Sequence, residues 1–504
     1  MKKEIKKLLI ANRGEIAVRV LRSAKEMGIV TVAVYSEVDR LMPHVRLADE
    51  AYPIGKATAA ETYLQKEKII EVALKSNSDA IHPGYGFLSE NAQFSDMVKN
   101  AGLIFVGPPA MAIKSMGDKT AARSLVKSAG VPIVPGTDGP ILDITEASVF
   151  ADKFGFPILL KAAGGGGGKG MRIVNGYDEL ASAFRSAQSE AQSAFGDNRV
   201  YVEKYLENPR HIEFQILADQ YGNTIHLGER ECSIQRRHQK IIEESPSVII
   251  TPELRKKMGE AAVKAALRSG YVNAGTIEFL VDKHRNYYFL EMNTRLQVEH
   301  PITEMITGID LVKEQLRIAM GQSLSLKQKD IRFRGHALEC RIYAENSENN
   351  FLPSIGKITK LRSPQGFGVR EDRGVDEGNE ISVYYDPMIS KLITWADTRD
   401  EAIHKMTRAL NEYNLAGVQT NIQACSWIIN HPKFLEGNFD THFIKEYFNP
   451  EVLRIDNKLI HEALAVAAAY IQKFEKIETQ QLDGTNKEGA TSNWKTKRYE
   501  NFRG

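Results

Sequence analysis

The sequence predicts a multidomain protein of mixed α/β and α+β class, on three observations. At 504 residues the chain exceeds what one hydrophobic core usually organises. Roughly its first hundred residues alternate aliphatic clusters with amphipathic helical stretches. After them, hairpins with a period of two replace that rhythm.

In order along the chain, residues 6 to 36 read as a strand (KKLLIA), a helix over 15 to 27 and a second strand (VTVAVYS). This is the pattern of a βαβ unit in a parallel sheet. It returns over 66 to 107, where a helix leads into DAIHPGYGF and a later strand reads LIFVG. The turn after the first strand, ANRGE, holds one glycine and lacks GxGxxG, so the segment is a nucleotide-type fold without a dinucleotide fingerprint. That argues against an NAD-dependent dehydrogenase. From about residue 115 the texture changes. A helix over 118 to 129 is stopped by Gly130 and VPIVPG. Strands follow near 157 to 162, 171 to 174 and 199 to 206, with a helix over 177 to 194. Residues 211 to 228 alternate apolar and polar types, as half-buried antiparallel strands do, and GTIEFLVDKHRNYYFLEMN reads as a hairpin. A third region, roughly 334 to 446, mixes short strands (HALECRIYA, ITKLRS, VYYDPMISKLITWA) with a helix over 399 to 413. Beyond Pro450 come an Ala-rich helix, about 457 to 475, and a polar stretch whose composition predicts disorder.

Composition narrows the classes. Lys and Arg total 66 against 64 for Asp and Glu, a net charge of +2 that gives no electrostatic case for nucleic acid or a membrane surface. Cys232, Cys340 and Cys425 are scattered, which argues against a disulfide scaffold or zinc knuckle and fits a reducing cytoplasm. The early lysines are followed by too few apolar residues for a signal peptide, and no stretch is long and apolar enough for a transmembrane span.

Three segments carry chemistry. Residues 164 to 168 are five consecutive glycines, followed by Lys169 and Gly170. Glycine lets a backbone approach phosphate oxygens and offer N–H donors. A Walker loop is rejected, because Lys169 is followed by glycine and MRIV reads as a strand. A flap between two strands, closing over a nucleotide, fits better than a flexible linker, since Lys161 ends the entering strand. In the hairpin, a turn over 283 to 286 would set Asp282 opposite Tyr287 and Glu278 opposite Glu291, with Asn293 on the same face. Opposed like charges are destabilising unless neutralised. Two carboxylates and an amide suit Mg²⁺ bridging nucleotide phosphates. Finally, ERECSIQRRHQK gathers Arg230, Gln235, Arg236, Arg237, His238 and Lys240, and TRLQVEHP adds Arg295 and Glu299 beside the hairpin. An arginine there can hold an anionic acceptor and a glutamate can act as general base.

Taken together, these segments resemble the ATP-grasp enzymes, and within them the biotin carboxylases. FPILLKAAGGGGGKG and FLEMNTRL look like signatures shared with carbamoyl-phosphate synthetases. ANRGEIA, HPGYGFLSEN, MGDK, ENPRHIE, ERECSIQRRHQK and MNTRLQVEHPITEM narrow the match, over about residues 1 to 447. The resemblance implies a Rossmann-like amino-terminal domain over 1 to 115 and an ATP-grasp domain over 116 to 330, with a mobile lid at about 131 to 205. A carboxy-terminal biotin carboxylase domain over 331 to 447 and a helical and polar tail over 448 to 504 complete it.

By matching motif it implies that Lys119, Lys161, His211, Gln235 and His238 contact ATP. Glu203, Lys204 and Leu206 would cup the adenine, and Gly167 and Gly168 would close over the phosphates. Glu278 and Glu291 would also meet the nucleotide and, with Asn293, hold Mg²⁺ or Mn²⁺. Lys240, Arg295, Gln297 and Val298 would form the bicarbonate pocket, with Glu299 as general base. Arg341 would stabilise the biotin enolate, and Tyr85 and Gly86 would lie near the biotin ring. Lys169 stands where many relatives carry arginine. No MKM occurs and no carboxyltransferase-sized region remains, so the expected partners are a carboxyltransferase subunit plus a separate biotin carboxyl carrier protein. The resemblance also implies a homodimer. The expected activity is the first half-reaction of an acetyl-CoA carboxylase, as in fatty acid biosynthesis, or of a propionyl-CoA carboxylase. The alternatives are the same half-reaction within a two-subunit pyruvate carboxylase, or another ATP-grasp ligase.

Overall fold

The computed structural model describes residues 4–137, 139–141, 143–162, 171–195, 197–453 and 462–471. One compact unit spans residues 1–450. A second, 451–504, is described over 451–453 and over 462–471, which are helical; the other residues of the expected Ala-rich helix, and the polar stretch, lie outside the described residues. None of the helices among the described residues is long and apolar enough to cross a membrane.

The amino-terminal part is a five-stranded parallel sheet of β1 (Lys7–Ile10), β2 (Val30–Ser36), β3 (Glu50–Gly55), β4 (Ala80–His82) and β5 (Ile104–Phe105). The order β3-β2-β1-β4-β5 is that of a mononucleotide-binding half. Aliphatic runs such as LLIA and VAV form these strands because both sheet faces are covered, by cores around Leu8 and Ile16 on one side and Leu9 and Phe94 on the other. The ANRGE and HPGYGF turns lock together across the strand ends. Asn12 Nδ2 donates to the carbonyls of Pro83 and Tyr85, both at 2.7 Å. A Cβ on Gly84 (φ +65°) would lie 2.8 Å from that nitrogen, which is why glycine precedes Tyr85.

Next come β6 (Ile158–Ala162), β7 (Met171–Val174) and β8 (Val200–Lys204), an antiparallel sheet ordered β7-β6-β8 with its own small core around Phe150, Leu160 and Val202. The five-glycine loop joins β6 to β7 and lies outside the described residues.

The largest sheet is antiparallel. It contains β9 (Arg210–Ala218), β10 (Thr224–Arg236), β11 (Gln239–Ser245), β12 (Asn273–Val281), β13 (Tyr287–Asn293) and β14 (His336–Tyr343), followed by strands Met388–Ala396 and Val369–Arg373. Its order, β13-β12-β9-β10-β11-β14 and then those two strands, carries hydrogen bonding across residue 330, where the sequence texture changes. The sequence suggests half-buried strands over 211 to 228, but every residue of β9 is buried. The alternation separates two buried faces, not core from solvent. Ile212, Phe214 and Ile216 enter an apolar core with helix Pro252–Arg268, while His211, Glu213 and Gln215 face a polar interior.

One ion cluster clamps that sheet to helix Arg399–Glu412. Glu244 on β11 accepts from Arg399 Nε at 2.7 Å and sits 2.8 Å from His336 Nε2 on β14. Burial works against its charge, but Arg399 and His336 prevail and hold the carboxyl near 2 instead of 4.5. A depressed carboxyl stabilises the fold above its unfolded value and loses that contribution as pH falls from 4.5 toward 2. Glu244→Gln should therefore cost about 3 kcal/mol near neutral pH, and the gap between parent and variant in urea unfolding should close as pH falls below about 4.5. A gap independent of pH would contradict the clamp.

Candidate active site

The site begins as a row of charges across four strands. Arg230 on β10 pairs with Glu213 on β9, Glu213 with Glu278 on β12, and Glu278 with Glu291 on β13. The sequence expectation that Glu278 and Glu291 face each other holds, for a different reason. The strands first pair Val281 with Tyr287, closing a loop one residue longer than expected, and a bulge at Leu290 restores the register. Asp282 orders that loop by accepting from the backbone N–H groups of His284 and Asn286, at 2.8 and 2.9 Å. The bulge turns Glu291 and Asn293 to the face opposite Phe289, beside Glu278.

Three buried carboxylates converge on one ammonium. Lys240 Nζ lies 2.6 Å from Glu213, 3.0 Å from Glu278 and 2.6 Å from Glu299. Arg230, fully buried, takes the other Glu213 oxygen at 2.5 Å and also donates to Gln215, Thr276 and Thr303. Arg230 is therefore no solvated member of a basic strand. Burial works against the Glu299 charge, but Lys240, Arg341 and Arg230 hold the carboxyl well below its usual range. Burial also opposes ionisation of Glu278, and Lys240 with His211 outweighs it. Glu291 goes the other way, raised by burial and by the Glu278 charge. It accepts no hydrogen bond from a described residue.

That asymmetry is the test for a metal. Glu278 and Glu291 lie cross-strand, and Asn293 Nδ2 donates to Glu278 at 2.8 Å, so two carboxylates and an amide oxygen gather on one face. Hard oxygen donors with an under-neutralised carboxylate suit a divalent cation, and these residues fit Mg²⁺. The convergence of His211, Glu213 and Glu278 also has metal-ligand spacing, but Lys240 already supplies its cation.

The remaining expected residues divide into two groups. At the nucleotide end, Lys161 pairs with Glu203, which also accepts from Arg123 at 2.6 Å. Lys119 and Arg123 line a cavity of about 280 Å³ with Tyr201. His211 sits 2.9 Å from Glu278 and 2.8 Å from Gln235. The Lys204 side chain is turned to the carbonyls of Gly155 and Phe156, so it meets no other expected residue; Leu206 follows β8. His238 stands exposed at the β10–β11 turn, where it and Arg237 take φ values of +68° and +50°. Gly167 and Gly168 lie outside the described residues. At the anion end, Arg295 donates to Gln297 at 2.8 Å and Asn293 at 3.2 Å, and Gln297 to Glu278 at 3.3 Å. Val298 and Glu299 precede helix His300–Thr307. Arg341 grips Glu299 at 2.9 Å and Glu243 at 2.6 Å. Tyr85, next to Gly86, donates to Glu15.

Sequence reasoning missed Glu213, Glu90, Glu243 and Glu15, the partners of the cations. Glu90 holds Arg295 Nε at 2.9 Å and the Thr294 N–H at 2.9 Å, reaching over from the amino-terminal part. A signal was available for Glu213, because His211, Glu213 and Gln215 form the polar phase of β9. Nothing local distinguishes Glu243 or Glu15.

Paired carboxylates on a hairpin, with a buried glutamate and two arginines beside them, are the groups that an ATP-dependent ligase needs. Residues 118–327 match the family described as carbamoyl-phosphate synthase L chain, ATP binding domain. Residues 4–113 match the biotin carboxylase N-terminal domain and 339–446 the biotin carboxylase C-terminal domain. A pyruvate carboxylase subunit from Methanothermobacter thermautotrophicus is 57% identical over 441 residues, 88% of this chain and 90% of that protein. Biotin carboxylase 1 of Bacillus subtilis is 53% identical over 444 residues, 88% and 99%. The crystal structure of the biotin carboxylase domain dimer of Hydrogenobacter thermophilus 2-oxoglutarate carboxylase, with MgADP, ADP and bicarbonate, matches with a TM-score of 0.84 and 49% identity. That match covers 90% of this chain and 100% of that one. The chain belongs to the biotin carboxylases, ligases that use ATP and Mg²⁺ to carboxylate biotin.

The burial contrast sets a stability expectation. Lys240→Gln leaves three buried carboxylates short of a cation and should cost about 3–5 kcal/mol. Arg295→Gln loses a partly exposed pair with Glu90 and single hydrogen bonds to Gln297 and Asn293, leaves no cluster of carboxylates behind, and should cost about 1–2 kcal/mol. Thermal unfolding of the two variants compares them; equal losses would refute the central role of Lys240.

Proposed function

We propose that this enzyme carboxylates biotin presented in trans on a carrier protein, using bicarbonate and ATP, and hands it to a carboxyltransferase. The observation that carries the reading is that Glu299 is shared by Lys240 and Arg341, with the Glu278–Glu291 hairpin on one side and Tyr85 on the other. Gripped by both cations, Glu299 is a weak base. Bicarbonate entering between Lys240 and Arg295 takes Lys240 from it, which strengthens the base where a proton must be removed.

Glu299 takes the bicarbonate proton, and the anion's oxygen attacks the γ-phosphorus as ADP leaves, giving carboxyphosphate. Lys240, Arg295 and the lysines of the nucleotide end stabilise the charge on the transferred group. A cation held by Glu278, Glu291 and Asn293 would supply further neutralisation of the phosphate oxygens. Carboxyphosphate then breaks into CO₂ and phosphate, and the phosphate accepts the proton of the biotin ureido nitrogen. Arg341 holds the resulting enolate oxygen while the nitrogen captures CO₂. Gly167 and Gly168 would exclude water during these steps.

The final acceptor never enters this site. Relatives named for pyruvate, 2-oxoglutarate and methylcrotonoyl-CoA carboxylases can therefore share its residues. Acetyl-CoA, propionyl-CoA and pyruvate are all compatible acceptors for the carboxyltransferase.

Arg341→Ala should keep much of the bicarbonate-dependent ATP hydrolysis and suppress carboxylation of free biotin by about a hundredfold or more. Equal loss of both activities would overturn the division of roles, and covalent biotin detected on this chain by avidin blot would overturn supply in trans.

A further inference from the structure

Lys391 has no part in the chemistry above, yet its side chain is 0% exposed. An ammonium is retained in such a place only where anions and hydrogen bonds offset its lost hydration. It lies on strand Met388–Ala396, directly opposite Arg341 on β14 and Asp372 on Val369–Arg373, so the three side chains share one sheet face. Lys391 Nζ donates to the Val298 carbonyl at 2.8 Å. It stands 3.1 Å from Glu15 and 3.9 Å from Asp372, and Glu339 on the same face adds a further acidic group to its surroundings. Asp372 is already held in a fork by Arg370, at 2.9 and 2.7 Å. Glu15 is the closer anion, and its second oxygen accepts from Tyr85.

Two links follow. The Val298 carbonyl and the Glu299 N–H belong to one planar peptide, so a bond to the first fixes the backbone that presents the Glu299 carboxylate. Arg341, the cross-strand neighbour of Lys391, grips that carboxylate at 2.9 Å. Adjacent cations thus hold one residue by its backbone and its side chain. In the other direction, Glu15 ties the ammonium to Tyr85.

We propose that Lys391 is a positioning residue that couples the bicarbonate end of the site to the biotin end, holding the Val298–Glu299 peptide by its hydrogen bond and Tyr85 through Glu15. The inference rests on the roles proposed above for Val298, Glu299 and Tyr85.

Lys391→Met keeps the apolar stem and removes the ammonium. The KM for bicarbonate should rise about tenfold or more, as for loss of a charge-assisted hydrogen bond that orients the site. The KM for ATP should stay within about twofold, and more ATP should be hydrolysed per biotin carboxylated. Because methionine would face the Glu15 charge, Glu15→Gln/Lys391→Met is made beside it; this pair should fold like the parent and show the same split. Glu15→Gln alone should raise the KM for biotin and leave that for bicarbonate within about twofold. An unchanged bicarbonate KM in the folded double variant, or a parallel rise in the KM for ATP, would overturn the positioning role while leaving the proposed function intact. Absence of bicarbonate-dependent ATP hydrolysis by the unaltered enzyme would instead remove the proposed function, and this inference with it.

Discussion

Three carboxylates stand side by side across β9, β12 and β13, and the site exists because cations are built in to separate them. Glu213, Glu278 and Glu291 occupy successive cross-strand positions, where like charges repel and burial makes each more costly to ionise. Arg230 answers at one end of the row and Lys240 from above its middle. The far end, at Glu291, has no close ion pair among the described residues, only the more distant charges of Lys119, His211 and Lys240. A row assembled in this way leaves one position where an added cation lowers the energy, on the side of the row nearer Lys119.

The same economy of charge shapes the anion end. Lys240 and Arg341 both hold Glu299, so each substrate that recruits one of these cations changes the basicity of the carboxylate it leaves behind. With the roles proposed for Lys240 and Arg341, bicarbonate and biotin would draw the two cations away in turn and release the base in stages. Glu90, which belongs to the amino-terminal part, holds Arg295, so that part of the fold helps to place this cation.

Much of this was legible in the sequence, and the exceptions have physical reasons. Aliphatic runs mark β1 and β2, and a polar turn between two apolar segments marks the hairpin, because these signals act over a few residues. The facing of Glu278 and Glu291 was inferred from a four-residue turn, whereas a longer loop and a bulge produce it together. Burial was misjudged over β9, because alternation reports two different faces and cannot say that the polar one is also enclosed. The sequence groups Arg230 with cations able to hold an anionic acceptor; the fold instead turns it to Glu213 and Thr303, 17 and 73 residues away, which no local pattern reveals. Glu15, Glu90 and Glu243 were missed for the same reason: each gains meaning only from a cation that the fold brings to it.

The bulge at Leu290 carries a consequence for how such a chain can vary. The facing of the two carboxylates is set inside the strand and does not depend on the number of residues in the loop. A strand that straightened the bulge while keeping the Phe279–Phe289 pair would set Leu290 opposite Glu278 and turn Glu291 toward Ile277 on the apolar face. Changes that favour a regular strand at Leu290 would therefore rearrange the carboxylates, whereas the exposed tip is free to vary in length.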